Sequence, residues 1–304
     1  MGRSNRQLVW ARLRRDRAAV LGMVLVSLIL GMAVFAPLLA RLAGHTPNQL
    51  FDGMRTALGL PKGPTTRFWF GADQVGRDLF VRVMYGARTS LFVSVVGTSV
   101  ATLIGIIVGL ISGYSRGWID TLLSRTMDVW LSLPLLLFAV GISTVCSVSV
   151  RGCLGGLLKP GLPLVTGIIG LLTWPYIARI VRGQVISLRE REFVEAARSI
   201  GASDARIMFS ELLPNLMAPI LVYATLTIPG NILFEASLSF LGVGVPQSTP
   251  SWGRMLSDAT SGSLFKYAWW MMVYPGACLL LTTIGFYLVG DGLRDALDPH
   301  RAAR

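Results

Sequence analysis

Six long apolar blocks limit most strongly how this chain can fold: Ala18–Ala40, Ser90–Ser112, roughly Leu122–Val145, Leu162–Ala178, Leu216–Phe234 and Tyr267–Gly290. An apolar run of about 17–25 residues, wound as a helix, is the length that crosses the hydrocarbon core of a bilayer. The first, second and last blocks meet that requirement outright. The third carries Arg125 and Asp128 near its start, and the fourth and fifth are short and hold Pro175 and Pro219. Proline inside a span is tolerated where neighbouring helices satisfy the freed backbone groups. Together the blocks predict an all-α integral membrane protein with six transmembrane helices over residues 18–290. With 14% charged residues, the chain also falls well short of the ~25% usual in soluble domains. The first block exceeds the ~7–15-residue core of a cleaved secretory signal, so it is expected to remain as a span.

The flanking charges give the direction. If residues 1–17, a basic tail, are cytoplasmic, then 17 of the 28 basic residues face the cytoplasm, including those of the C-terminal tail, residues 291–304. Seven of the other 11 cluster between Arg41 and Arg88. The excess has the sign of the positive-inside rule and predicts that both termini are cytoplasmic. No basic stripe interleaved with aromatics is left over, so no nucleic-acid partner is expected.

Two segments then lie outside, residues 42–89 and 235–266. In the first, Leu79, Phe80, Val83, Met84 and Ala87 recur at helical spacing with Arg82 and Arg88 between them. That pattern predicts an amphipathic helix within residues 70–91, either lying at the interface or serving as a solvated connection. Cys146 and Cys153 fall on a further outer loop, where a disulfide is permitted, although spacing leaves bonded and free states open. Cys278 reads as a small buried hydrophobe. With His45 and His300 the only histidines, no Cys/His cluster has metal-ligand spacing, and no metal centre is expected.

One polar segment interrupts the apolar pattern on the inner side: REFVEAARSIGASDARIMFSELLPN, residues 191–215, with seven formal charges. Ser187 followed by Glu190 matches a capping box and predicts a helix start. Phe193, Val194, Ala197 and Ile200 form an apolar stripe, and Glu195 can pair with Arg198 one turn on. Gly201 stands where a helix ends in a left-handed residue. Ser203 or Asp204 then caps a second short helix carrying Ile207, Met208 and Leu212, with Pro214 at its limit. A mere connecting hairpin is the plainer reading of residues 187–215. Two capped helices and a fixed glycine turn favour a docking element, and the small Ala196 and Ala197 would let a bulky partner approach.

Glu195-Ala196-Ala197, Gly201, Ile207 and Leu213-Pro214 resemble the EAA loop of permease subunits in binding-protein-dependent ABC importers. Three further stretches narrow the resemblance to the second permease of the dipeptide/oligopeptide/nickel branch. They are FGADQVGRD (70–78) with Gly86-Ala87-Arg88, EASLSFLGVG (235–244) with PSWG (250–253), and GDGLRDALDP (290–299). The resemblance runs from the first span to the C-terminus. It departs at Ala72 and Val81, where threonine and serine are common, which bears on substrate rather than family.

The resemblance implies a type I ABC importer permease fold in a bacterial cytoplasmic membrane. Residues 187–215 would couple to the ATPase through Glu195, Ala196, Ala197, Gly201, Ile207, Leu213 and Pro214. Asp73, Gly76, Arg77, Asp78, Arg88 and Glu235 would form an outer structural or gating motif. Its implied partners, besides the lipid bilayer, are a second homologous permease, two ATP-binding cassette ATPases and an extracytoplasmic substrate-binding protein. ATP and Mg would be held by the ATPases.

Other functions fit less well. The chain has no G-x-x-x-x-G-K-[ST], the loop that cradles nucleotide phosphates, so a transport subunit must borrow its energy source. An ion-driven transporter would favour acids at mid-membrane, whereas Asp128 and Glu235 lie near span ends. A membrane enzyme lacks a histidine in any span to serve a serine as base. The expected function is ATP-driven import of di- or oligopeptides, with nickel or another small solute as the alternative cargo.

Overall fold

The computed structural model describes residues 5–148, 153 and 159–297. A short basic helix, α1 (Asn5–Arg15), leads into α2 (Arg17–Ala43), whose first amides are capped by Asp16. Gly44, at φ +71°, closes α2 in the left-handed conformation that glycine reaches without steric cost. A loop with isolated bridges and one 3-10 turn, Asp52–Met54, then leads to α3 (Leu79–Tyr114), capped by Asp78 and 36 residues long. At 1.5 Å per residue α3 extends about 54 Å, well beyond the ~30 Å hydrocarbon core. Helices α4 (Trp118–Ser132), α5 (Leu135–Val148) and α6 (Leu162–Leu188) follow.

The expected amphipathic helix over residues 70–91 does not form as a separate element. Residues before Leu79 are irregular, and from Leu79 onward the chain is already the buried start of α3. Arg82 is fully buried rather than turned to water. Ala72 and Val81, the two departures from the family pattern, are also buried.

The third expected span is broken. Helices α4 and α5 meet at 85°, and Leu133 between them is extended at φ −75°, ψ 136°. Pro134 fixes the place of the break, because its ring disfavours helical geometry at the preceding residue. The bend does not reduce the number of crossings. A Cβ built on Gly97, Gly105 or Gly113 of α3 would come within 2.7 Å of Ile169, Ile177 or Val185 of α6, respectively. Both series ascend, so α3 and α6 run parallel. The chain leaving α3 at Tyr114 must therefore cross back to enter α6 at Leu162. Among the described residues, five helices are long and apolar enough to cross singly, and the bent pair supplies the sixth crossing.

After α6 come α7 (Glu192–Ser199), α8 (Asp204–Arg206), a π-helical turn over Ile207–Leu212 and α9 (Leu213–Phe240). Glu235 thus remains in the fifth spanning helix, where the sequence placed the start of an outer segment. Helix α10 (Trp252–Thr260) and a 3-10 stretch precede α11 (Trp270–Leu297). Helices α1 and α2 meet the last turns of α11 at the end of the bundle that also carries α7. Arg12 donates to the Ala296 carbonyl at 3.1 Å, and Gly292 lies directly against Ala19.

Candidate functional site

The polar segment folds as a hairpin at one end of the bundle, with start and finish differing from the sequence expectation. Helix α6 continues to Leu188, so Ser187 lies inside it and caps nothing. Arg191 is the N-cap residue of α7 and makes no side-chain cap. Its acidic first turn, Glu192 and Glu195, and basic last turn, Arg198, both complement the helix dipole. Gly201 closes the helix at φ +80°, with the Ala202 amide donating to the Ala197 carbonyl at 3.0 Å. Of the two possible caps for the second arm, Ser203 is used, accepting from the Arg206 amide. Pro214 does not end that arm. The helix widens into a π turn, with Leu213 N–H donating to the Met208 carbonyl, and runs straight into α9. A proline lacks the amide that would continue the ladder, and it is accommodated at the second position of α9.

The residues expected to couple to a partner divide between two faces. Val194, Ala197 and Ile207 are buried against Leu110, Tyr114, Leu212 and Leu216. Glu195, Ala196, Gly201 and Pro214 are exposed, and Leu213 is half-buried. Two members of the expected apolar stripe, Phe193 and Ile200, face outward, Ile200 at 80% exposure. With Phe209, also exposed, they give the hairpin an outward surface mixing apolar and acidic groups. Arg198 does not pair with Glu195; its guanidinium lies 5.3 Å over the ring of Tyr114.

Polar contacts fasten the hairpin to the spans, and the neighbouring spans to one another. Tyr114 Oη donates to Asp204 Oδ1 at 2.6 Å. Arg189 Nη1 donates to the Gly113 carbonyl at 2.8 Å. Asp120 accepts from Arg182 at 2.7 and 2.8 Å and from Ser112 Oγ at 2.7 Å. Asp128, which the sequence paired with Arg125, has a closer partner in Arg179 of α6; Arg125 stands at 3.8 Å.

At the opposite end the outer motif is a buried polar lattice. Asp73 Oδ1 accepts from the amides of Val75 and Arg77 at 3.0 and 2.9 Å, while its Oδ2 takes Arg77 Nε at 2.6 Å. Arg82 reaches the Pro47 carbonyl and Asn48 Oδ1, both at 3.1 Å. Arg77 and Arg82 share the Gln247 carbonyl at 3.4 and 3.3 Å, joining the two loop segments. Asp258 stands 3.5 Å from Arg254 and 4.0 Å from Arg77. Burial pushes its carboxyl upward, opposed by Arg254 and Arg82. Asp78 caps α3 with one oxygen and meets His45 Nδ1 at 2.5 Å with the other. Gly76, at φ +88°, leaves no room for a side chain, since a Cβ would come 2.9 Å from the Phe51 carbonyl.

Glu235 is buried beside this lattice, accepting from Ser90 Oγ at 2.8 Å and Ser239 Oγ at 2.7 Å. Arg88 stands apart from it, exposed, 5.9 Å over the Tyr85 ring. Cys146 and Cys153 are joined in a disulfide. Sequence reasoning missed His45, Arg82, Asp258 and Tyr114. Of these, only Asp258 carries a sequence signal, standing four residues after Arg254 on one helix face. His300 and residues 298–304 lie outside the described residues.

Residues 105–302 match the family described as binding-protein-dependent transport system inner membrane component. Residues 4–59 match the N-terminal TM domain of oligopeptide transport permease C. The dipeptide transport system permease protein DppC of Alkalihalophilus pseudofirmus is 39% identical over 290 residues, 95% of this chain and 88% of that protein. The oligopeptide transport system permease protein OppC of Bacillus subtilis is 39% identical over 288 residues, 95% and 87% of the two chains. Among solved structures, an inward-facing MetNI methionine ABC transporter shares the fold. Its TM-score is 0.55 at 21% identity, covering 71% of this chain and 97% of that one.

Proposed function

This chain belongs to the family of binding-protein-dependent transport system inner membrane components, and from that premise we propose that it is one of two permeases in an ATP-driven importer of di- or oligopeptides. It is a multi-pass inner-membrane protein that hydrolyses nothing itself. The observation that carries the proposal is the two-faced hairpin. Val194, Ala197 and Ile207 seat it on the spans, while Glu195, Ala196, Ile200 and Gly201 are presented outward. A linker needs no such outward surface on a rigid backing; a partner that pushes on the bundle does.

In this reading the outward face docks on one of two cytoplasmic ATPases, which bind the ATP and Mg. The second permease completes the path, and an extracytoplasmic binding protein delivers the solute. The hairpin end, with residues 1–17 and 291–304, is cytoplasmic; residues 42–89 and 235–266 face outward. Asp73, Gly76, Arg77, Asp78 and Glu235 hold the outer end in shape rather than bind solute, because each is buried or stericly filled. Peptide is favoured as cargo by relatives named for dipeptides and oligopeptides.

The test is to purify the whole complex with its binding protein, offer a mixture of di- and oligopeptides, and identify the released ligand by mass spectrometry. ATP-dependent uptake of peptides is expected. A released metal ion or other small solute would replace the cargo and leave the importer intact. Ion-driven uptake by this chain without any ATPase would overturn the reading.

A further inference from the structure

We infer that Tyr114 is the positioning residue through which movement of the hairpin enters the membrane helices. The inference rests on residues 187–215 being the ATPase-docking element. Tyr114 is the last residue of α3, and two contacts converge on it from opposite sides of the Gly201 turn. Its hydroxyl donates to Asp204, the first residue of α8. Its ring lies beneath Arg198, in the last turn of α7. One side chain therefore holds both arms of the hairpin. The rest of the ring is buried in the cluster containing Val194, Ala197, Ile207 and Leu212. Arg189, where the hairpin begins, grips the Gly113 and Ser115 carbonyls on either side of Tyr114.

What Tyr114 is attached to gives this junction its consequence. Gly105, Gly109 and Gly113 bring α3 so close to α6 that neither can slide without backbone displacement. Farther along α3, Ser90 donates to Glu235 of α9, and Arg82 and Asp78 belong to the polar lattice at the other end. A displacement of the hairpin thus reaches the far end of the molecule along one unbroken helix. Coupling of this kind needs a physical element that both sites bias, and α3 with Tyr114 at its tip fits that description.

A tyrosine that merely filled space would affect how well the hairpin folds and holds the ATPase. A positioning residue instead changes how much solute moves per ATP while the ATPase stays bound. The measurement uses the whole complex in proteoliposomes, ATP inside, binding protein outside and trialanine as the probe. Tyr114→Phe removes the hydrogen bond but keeps the ring under Arg198; Tyr114→Ala removes both. With ATPase association retained, trialanine moved per ATP is expected to fall on the order of tenfold in Tyr114→Ala. Tyr114→Phe should show a smaller fall, and adding Asp204→Ala to it should change nothing more, because both delete one bond. A wild-type ratio in Tyr114→Ala would overturn the inference, as would full additivity of Tyr114→Phe and Asp204→Ala. If Tyr114→Ala does not assemble, the Tyr114→Phe and Asp204→Ala pair decides. The unaltered complex, measured alongside, tests the importer reading by itself, so its failure is separable from a failure of the Tyr114 variants.

Discussion

Gly201 sits at φ +80°, and a Cβ built there would meet nothing within 4 Å. Any penalty for a side chain at this position must therefore come from its own backbone, not from neighbours. A β-branched residue in the left-handed region costs about 1–2 kcal/mol, whereas asparagine tolerates it. Gly201→Val should weaken ATPase association by roughly 5–30-fold, the equivalent of that cost, and Gly201→Asn should stay near wild type. Co-purification of the ATPase over a concentration series measures both; equal effects would remove the backbone explanation. The same residue marks what a sequence exposes. Gly201 and Ser203 are legible because helix ends are set by short-range chemistry. Ser187 matches a cap equally well and is not one, because α6 runs ten residues past its apolar block, to Leu188. Its extension is stabilised by Arg179 and Arg182 pairing with Asp128 and Asp120, contacts between residues more than 50 positions apart. Arg82 was illegible for a related reason. Helical spacing places it on a polar face, and nothing local announces that Asp73, Pro47 and Asn48 would enclose it.

Among the helices, the α3–α6 contact is the most extensive and the most sharply testable. Gly97, Ala101, Gly105, Gly109 and Gly113 recur every fourth residue on one face of α3. Small residues at that spacing let two membrane helices approach to backbone contact. A Cβ on Gly109 would come 2.7 Å from the Ala178 carbonyl, a backbone atom that cannot rotate away. Gly109→Ala should therefore destabilise the protein by about 1–3 kcal/mol, the usual cost of overpacking. Gly183, on α6, has nothing within 4 Å of its Cβ position, so Gly183→Ala should be neutral or slightly stabilising. Thermal unfolding of the two purified variants decides; a neutral Gly109→Ala would mean that the helices are not in this contact. The glycine stripe was present in the sequence all along, but a search for apolar blocks passes over it, since glycine is compatible with both lipid and helix contact. The break between α4 and α5 was visible as Pro134, yet its consequence was not. Proline inside α2, α6, α9 and α11 leaves each helix continuous, so a proline fixes where a bend can occur and packing decides whether it does.

For the molecule as a whole, the parallel run of α3 and α6 decides the topology, and it does so despite the bent third span. Had α4 and α5 turned back on themselves, α6 would have to start where α3 ends, and the two would pack antiparallel. Their ascending contacts exclude that. Helix α1, the last turns of α11 and the hairpin lie on one side, with residues 42–78 on the other. The basic excess at the hairpin end is the basis on which that side is proposed to be cytoplasmic. An impermeant thiol reagent can test both conclusions in intact cells, on a Cys278→Ser background, since Cys278 is the free cysteine among the described residues. Leu58, 87% exposed in the loop before α3, and Arg116, exposed in the turn after it, suit single cysteine replacement. Leu58→Cys should label from outside without permeabilisation, and Arg116→Cys only after the membrane is opened. A hairpin position such as Ile200→Cys should then behave like Arg116→Cys. The opposite pattern would invert the protein without changing its fold. Labelling of Arg116→Cys and Ile200→Cys from different sides would instead break the parallel packing of α3 and α6, and with it the path by which the hairpin is joined to the far end of the bundle.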